Sequence, residues 1–111
     1  MPPIAFEDFL KVDIRAGTVL SCKPLAGAKK PAYLLTISLG ETLGTKQSTA
    51  QLTALYAAEE LVGRQVLCVV NFPKKRVAGV DSEVLVLGLY AQDGVVLIAP
   101  ERRVQDGDRL G

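Results

Sequence analysis

Three consecutive cations, Lys74, Lys75 and Arg76, form the densest group of side chains in the sequence that could do chemistry. They lie between two apolar runs, with Pro73 before them and Gly79 after them. Because proline fixes a backbone angle and glycine permits a turn, we expect a shaped connection. Cations held in this way can contact phosphates or the acidic groups of a polypeptide. The alternative is a solvated loop that only keeps the chain soluble.

Catalysis has few candidate residues. The sequence contains no histidine, which removes the usual general base and the commonest metal ligand. Its two cysteines, Cys22 and Cys68, lack CxxC spacing, and we expect them to be buried free thiols. The carboxylates are scattered, and no phosphate-binding glycine loop is present. The sequence therefore predicts a binding module with no enzymatic activity, no metal and no cofactor.

Length and composition predict one globular domain over residues 1–111, since 49% of the residues are hydrophobic. No apolar run is long enough to span a membrane, and the N-terminus does not resemble a signal peptide. We therefore expect a cytoplasmic protein that does not insert into membranes. The net charge is only +1, yet residues 11–80 carry ten cations against four anions. This distribution leaves room for a modest basic face.

The elements that must position the cations follow from the spacing of apolar residues. Phe6, Phe9 and Leu10 predict a short amphipathic helix over residues 5–11. Thr53 is expected to cap a helix that continues through Glu60. Alternating and apolar runs predict five strands, with a bulge or bend at Gly17 in the first, over residues 12–22, 33–39, 45–52, 65–72 and 82–90.

This order, three strands, one helix and two strands, is that of the OB-fold. We therefore predict an all-β protein: a five-stranded OB-fold barrel with one bridging helix, a short N-terminal helix and a C-terminal extension. Other small barrels share part of this order. In an OB-fold the connection between strands four and five helps to hold ligands. That connection carries the three cations, and Lys46, Gln47 and Ser48 on strand three are expected on the same binding face.

Aromatic residues distinguish between ligand types. OB-folds that bind single-stranded nucleic acids stack bases on several exposed rings. Here only Phe72, Tyr33, Tyr56 and Tyr90 are candidates, because Phe6 and Phe9 are expected to pack. The sequence therefore favours recognition of a folded RNA shape or of a polypeptide.

Both ends of the chain carry apolar material that the barrel does not need. A turn at residues 92–94 precedes an apolar strand over 95–99, and a charged tail comes after it. We expect the extensions 1–11 and 91–111 to join two copies into a homodimer; the alternative is that both ends plug the barrel of one subunit. The predicted interface consists of apolar residues of both extensions: Phe6, Phe9, Leu10, Val96 and Ile98.

Two stretches, residues 9–19 and 71–83, resemble hallmarks of the tRNA-binding domain family, which includes the C-terminal extension of methionyl-tRNA synthetases. Residues 46–52 and 82–88 resemble a narrower, CsaA-like group of small bacterial proteins described as secretion-related chaperones. The resemblance implies an OB-fold and a homodimer joined through its extensions. It also implies binding of unfolded or precursor polypeptides, with export machinery such as SecA as a partner.

The resemblance also bears on tRNA as a partner. Arg15, Asn71, Lys74, Arg76 and Ser82 match the basic and polar positions of the family. The tRNA-binding members continue with Gly-Met after the Ser-x pair, whereas this chain has Val84-Leu85, which weakens the case for tRNA binding.

The full set of expected peptide- or tRNA-binding residues is Arg15, Lys46, Gln47, Ser48, Gln51, Asn71, Phe72, Lys74, Lys75, Arg76, Ser82 and Glu83. Of these, Gln47, Ser48, Gln51 and Asn71 are expected to bond a peptide backbone, and Lys74 and Arg76 its acidic groups. Glu83 could contact a ligand or pair with a neighbouring cation, and the sequence leaves both open.

Overall fold

Five antiparallel strands form one sheet that curves into a nearly closed barrel in the computed structural model, which describes residues 1–111. Numbered along the chain, they pair in the order β3-β2-β1-β4-β7. Their bounds are β1 (Ile14–Pro24), β2 (Tyr33–Ser38), β3 (Thr45–Ala50), β4 (Gln65–Val69) and β7 (Leu85–Val86). Two hairpins complete the strands, β5 (Lys75–Val77) with β6 (Val80–Ser82) and β8 (Gly88–Ala91) with β9 (Gly94–Leu97). The helices are short: α1 (Phe6–Leu10), α2 (Gly40–Leu43) and α3 (Ala58–Leu61).

The alternation of residues along β2 explains why the barrel has a dry interior. Tyr33, Leu35 and Ile37 point inward, and the residues between them are half-exposed. Leu35 and Ile37 have no solvent-exposed surface, and Leu61 of α3 is equally buried. The inward residues of β1, β2, β4 and α3 thus share one core, which fixes the register of these three strands.

The barrel closes where β3 meets the segment that comes after β6. The Glu83 N–H donates to the Gln47 carbonyl oxygen at 2.8 Å. The Ser48 hydroxyl donates to the Val84 carbonyl oxygen at 2.8 Å, and the Thr49 N–H donates to Ser82 Oγ at 3.0 Å. Side chains therefore replace part of the main-chain ladder at this joint, which we call the closure.

The C-terminal tail lies along the first half of β1. The Ala16 N–H donates to the Asp108 carbonyl oxygen at 2.9 Å, and the Leu110 N–H donates to the Ile14 carbonyl oxygen at 2.9 Å. Gly107, at φ +97°, packs so closely that an added Cβ would lie 2.8 Å from the Leu39 carbonyl oxygen. The tail is thus a fixed part of the barrel wall.

The predicted five-stranded OB-fold barrel is confirmed, but the helix predicted over residues 53–60 is wrong in extent. Only Ala58–Leu61 are helical, and the Glu60 carboxylate, not Thr53, caps this turn by accepting the Ala57 N–H at 2.7 Å. The extended backbone of Ala57, at φ −80° and ψ 147°, separates this turn from Tyr56. The Tyr56 carbonyl oxygen accepts the Tyr33 hydroxyl, and its own hydroxyl accepts the Leu97 N–H.

The fifth strand, predicted as one run over residues 82–90, is divided between two partners. Leu85–Val86 pair with β4, whereas Gly88–Ala91 pair with β9. Gly88 permits the change of partner, because a Cβ at this position would collide with Val95 Cγ1. The irregularity expected at Gly17 lies between Val19 and Ser21, and Gly17 instead gives close packing against Ile37.

The sequence predicted no membrane-spanning segment. In the structure, no helix combines the length and the apolar character that a membrane crossing requires.

Candidate binding face

Lys75 and Arg76 lie on the β5–β6 hairpin and Lys74 directly precedes it, in a segment that the sequence predicted as a connection without strands. Val77 pairs with Val80, and the two residues between them, Ala78 at φ +49° and Gly79 at φ +85°, make the turn. Two positive φ angles match the strand twist in tight hairpins. The hairpin therefore projects Lys75 and Arg76 from a paired ladder rather than from a free loop.

Asp81 offsets part of the hairpin's positive charge. Arg76 Nη1 lies 3.0 Å and Lys74 Nζ 3.5 Å from its carboxylate. The hydrogen bond from Arg76, together with the charge of both cations, lowers the pKa of the Asp81 carboxyl below its ordinary value. Lys75 makes no ion pair within the chain and is exposed. The cluster thus presents one unpaired cation and two cations that share a carboxylate.

A pocket of about 230 Å³, which we call the rim pocket, lies beside this hairpin. Its floor is apolar, and Lys46, Lys74, Phe72 and Glu83 surround it. Phe72 is 52% exposed, so its ring is available to a ligand. The apolar floor residues are Leu39, Leu43, Val70 and Val84. The structure therefore brings four of the predicted binding residues together around an apolar depression.

Glu83 has a defined structural partner. Its carboxylate accepts the Gln47 N–H at 3.0 Å, and its own N–H donates to the Gln47 carbonyl oxygen. Glu83 therefore holds β3 against the segment that follows the hairpin. The same side chain lines the rim pocket. Gln47 itself is exposed, so its amide faces solvent beside the closure.

Three other predicted residues hold the face in place. Ser48 has no exposed surface and its hydroxyl is bonded to Val84, so this side chain cannot reach a bound peptide. The Asn71 amide accepts the Asp13 N–H at 2.9 Å and donates to the Lys11 carbonyl oxygen at 2.7 Å. Ser82 accepts from the main chain of β3 in the closure. The role of these three side chains in the structure is to fix backbone segments.

Arg15 is occupied in the same way. Its Nε lies 2.7 Å from Asp13 Oδ1, and its Nη1 donates to the Gly107 carbonyl oxygen at 3.0 Å. The Arg15 hydrogen bond lowers the pKa of the Asp13 carboxyl, and the charge of Arg109 adds to the effect. Arg15 lines a neighbouring concavity of about 240 Å³, where the tail meets α2.

Gln51 lies apart from the rim pocket, on a second groove of about 350 Å³. We call it the seam groove, because it lies where β3 and β7 diverge beyond the closure. It is lined by Thr49, Ala50, Gln51, Leu52, Leu85, Val86, Leu87, Gly88, Tyr90 and Val95. Of the residues that line this groove, the sequence predicted only Gln51 as a binding residue. Tyr90 was predicted as a candidate stacking ring, and its 98% exposure fits that prediction.

The residues predicted for a dimer interface are partly exposed. Phe6 is 68%, Leu10 48% and Val96 37% exposed, whereas Phe9 and Ile98 are half-buried. Phe6 and Phe9 pack against each other with ring centroids 6.2 Å apart. The exposed Phe6 ring does not plug the barrel, and the homodimer stays a prediction.

Both cysteines are free. Cys68 is fully buried, and this burial raises the pKa of its thiol to about 12. Cys22 is half-buried, so the expectation of buried thiols holds fully for Cys68 alone. No three carboxylates, cysteines or histidines are grouped closely enough to hold a metal ion.

A nearly closed five-stranded barrel with a mixed polar and apolar rim defines a binding domain of the OB-fold class. The family model described as "Putative tRNA binding domain" matches residues 14–109, and the chain belongs to this family.

Within this family the chain is similar to CsaA chaperones of known structure. The CsaA chaperone protein of Picrophilus torridus is 41% identical with a TM-score of 0.93, covering 98% of this chain and 100% of that one. The chaperone CsaA of Bacillus anthracis is 47% identical with a TM-score of 0.92, covering 99% of this chain and all of the other. The predicted resemblance to CsaA-like members of the family is confirmed.

Longer enzymes contain a similar segment. The methionine–tRNA ligase of Porphyromonas gingivalis is 40% identical over 108 residues, which are 96% of this chain and 15% of the ligase. The chain thus spans about a sixth or less of the length of the curated ligases it matches, and ligase activity belongs to those whole proteins.

Proposed function

We propose that this chain is a non-enzymatic chaperone that binds unfolded or precursor polypeptides in the cytoplasm for protein export. The observation that carries the proposal is the rim pocket, in which an apolar floor is ringed by Phe72, two lysines and Glu83. A pocket with apolar lining and a few polar groups can take an apolar side chain while its rim contacts the peptide main chain.

The electrostatics of the hairpin support a polypeptide ligand. Proteins that bind nucleic acids gain affinity when their cations neutralise phosphates and release the counterions of the nucleic acid. Here Lys74 and Arg76 are already paired with Asp81, which reduces this gain. Lys75 and Lys46 remain to attract acidic groups of an unfolded chain. Similarity to two CsaA chaperones over nearly the whole length is the second support.

The test is an aggregation assay without ATP. The protein in twofold molar excess should slow the aggregation of a chemically unfolded substrate, and Phe72→Ala with Lys74→Ala should lose most of this protection. Leu110→Ala, a change at another exposed apolar residue outside the rim pocket, is the control. The proposal fails if the unchanged protein gives no protection.

Homodimerisation and a contact with SecA belong to the same proposal. A homodimer would bring two rim pockets into one particle and cover Phe6 and Leu10, which are exposed in the single chain. Sedimentation should give about twice the 11.9 kDa chain mass, and Phe6→Asp with Leu10→Asp should give the monomer mass. A monomer mass for the unchanged protein contradicts the homodimer, and an absence of binding to purified SecA contradicts that partner.

Binding of folded tRNA is the second candidate function, and the family match over residues 14–109 favours it. The unpaired Lys75 and the two cations beside it would contact phosphates. Replacing Lys74, Lys75 and Arg76 by alanine should weaken binding and lower the salt slope by up to about 0.9 for each phosphate that the variant no longer neutralises. If the unchanged protein ignores tRNA at low salt, tRNA binding is excluded.

A further inference from the structure

Two strand edges whose main-chain groups face away from their paired strands border the seam groove. Along β3, the main-chain N–H and carbonyl groups of alternate residues point away from β2. Gln47 and Thr49 are two of these residues. The closure uses both groups of Gln47 and the N–H of Thr49. The Thr49 carbonyl oxygen faces the same side as its N–H, and neither main-chain group of Gln51 makes a hydrogen bond within the chain.

The opposite edge of the groove has the same property. The Leu87 N–H donates to the Leu67 carbonyl oxygen at 2.9 Å, so residue 87 lies at a hydrogen-bonded position of the β4–β7 ladder. Val86, one residue earlier and paired with Cys68, therefore directs its N–H and carbonyl away from β4 toward the groove. No turn, loop or side chain bonds either group of Val86.

The lining of the groove specifies the chemistry of an occupant. None of its ten residues is charged, and seven are hydrophobic. A nucleic-acid strand would bring phosphates to a surface without a cation, and a charged peptide segment would lose its solvation there. An uncharged extended segment fits, because it presents main-chain donors and acceptors at its edge and alternate apolar side chains on one face.

We infer that the seam groove takes an extended, uncharged segment of an unfolded polypeptide, which adds as a short strand to the free edge at Val86. Gln51 supplies a second main-chain contact across the groove, and an apolar side chain of the segment lies on Leu52, Leu87 and Val95. The inference rests on the proposed polypeptide-binding function, and it adds a site separate from the rim pocket. The groove volume of about 350 Å³ lies at the lower end of ligand pockets, so it holds only a few residues of the segment.

The test uses a fluorescent peptide of about seven residues in which valine alternates with threonine, titrated into the unchanged protein and its variants. Leu85, at the groove, is 47% exposed, and Leu89, outside it, is 60% exposed. Leu85→Arg should weaken binding about tenfold or more, whereas the matched Leu89→Arg should change it less than about twofold. Equal effects of the two changes overturn the inference.

Two N-methylated forms of the peptide test the main-chain contact itself. In a strand, alternate amides face opposite edges. Methylation of one alternate set should therefore abolish binding, and methylation of the other should leave it. If both forms bind as the parent does, the peptide makes no strand contact and the inference is wrong. It is equally wrong if Leu85→Arg shifts the sedimentation mass, because a second copy then covers the groove.

The outcomes separate this inference from the function on which it rests. If Phe72→Ala with Lys74→Ala weakens the peptide and Leu85→Arg does not, polypeptide binding stands and the seam groove is not its site. If the unchanged protein neither binds the peptide nor slows the aggregation of an unfolded substrate, the proposed function itself fails.

Discussion

The rim pocket and the seam groove are separated by the closure and share the same two backbone segments, yet their chemistry differs. The rim pocket has two lysines and a carboxylate at its edge. The seam groove has no charged residue and two strand edges whose main-chain groups face away from their paired strands. One barrel thus offers two surfaces, of which the first can select ligands by charge and the second by main-chain geometry.

The difference arises from the segments that leave the barrel strands. The hairpin after β4 brings cations and its own carboxylate, Asp81, to the rim. On the other side, β3 ends at Ala50 and the chain from Gly88 pairs with β9 instead of with the barrel. A binding surface can therefore arise from added charge or simply from hydrogen-bonding groups that the fold leaves unused.

The largest expected effect concerns the floors of the two surfaces. Leu39 lies under the rim pocket and Leu52 under the seam groove, and both are almost fully buried. Leu39→Ala and Leu52→Ala should each lower the free energy of unfolding by about 2–5 kcal/mol, because each leaves a cavity. Urea denaturation measures this. A loss below about 1 kcal/mol for either would mean that its floor belongs to no rigid core.

Breaking the joint between the two surfaces should cost less. Ser48→Ala removes the hydroxyl that bonds the Val84 carbonyl oxygen, so that a buried acceptor loses its partner. We expect a loss of about 1–3 kcal/mol in the free energy of unfolding, measured in the same way. Thr45→Ala, on the exposed end of the same strand, is the control and should stay within about 0.5 kcal/mol. Equal losses would show that the hydroxyl does not hold the closure.

A smaller gain in stability should come from the hairpin turn. Ala78 has φ +49°, a conformation that costs most L-residues about 1–2 kcal/mol but that asparagine adopts more readily. Ala78→Asn should therefore raise the free energy of unfolding by about 1 kcal/mol or less. Ala99→Asn, at an exposed residue without positive φ, should give no gain. A loss of stability at residue 78 would contradict this turn geometry.

The smallest effect is one of charge at the rim. Asp81→Asn releases Lys74 and Arg76 from their shared carboxylate, so tRNA should bind a few times more tightly with a steeper salt slope. Asp93→Asn changes the net charge equally, but Asp93 has no ion pair. Filter binding at two salt concentrations compares the two variants. An equal response would show that net charge, not the released cations, decides affinity.

The alternation in β2 and the apolar run of β4 made the barrel predictable, because inward and outward residues follow the strand period. The charges of the rim were equally visible. The hairpin was not, since Ala78-Gly79 lacks the Asn-Gly type of signal that marks tight turns. Ser48 looked available because its strand is polar, and its burial depends on the Val84 carbonyl, which is distant in sequence. The seam groove forms where β3 and β7 diverge. No local sequence pattern shows where the pairing of two distant strands ends.

The placement of the tail along β1 has a consequence for synthesis on the ribosome. On one edge of β1, the main-chain groups of Ile14 and Ala16 bond to residues 107–110. These residues are translated more than 90 residues later. Until then this edge of the first strand stays open, while the core around it has already been made. Contacts of such sequence separation form late, and an open strand edge invites pairing with other chains. The nascent chain is therefore expected to need shielding itself, until residues 107–110 emerge and complete the wall.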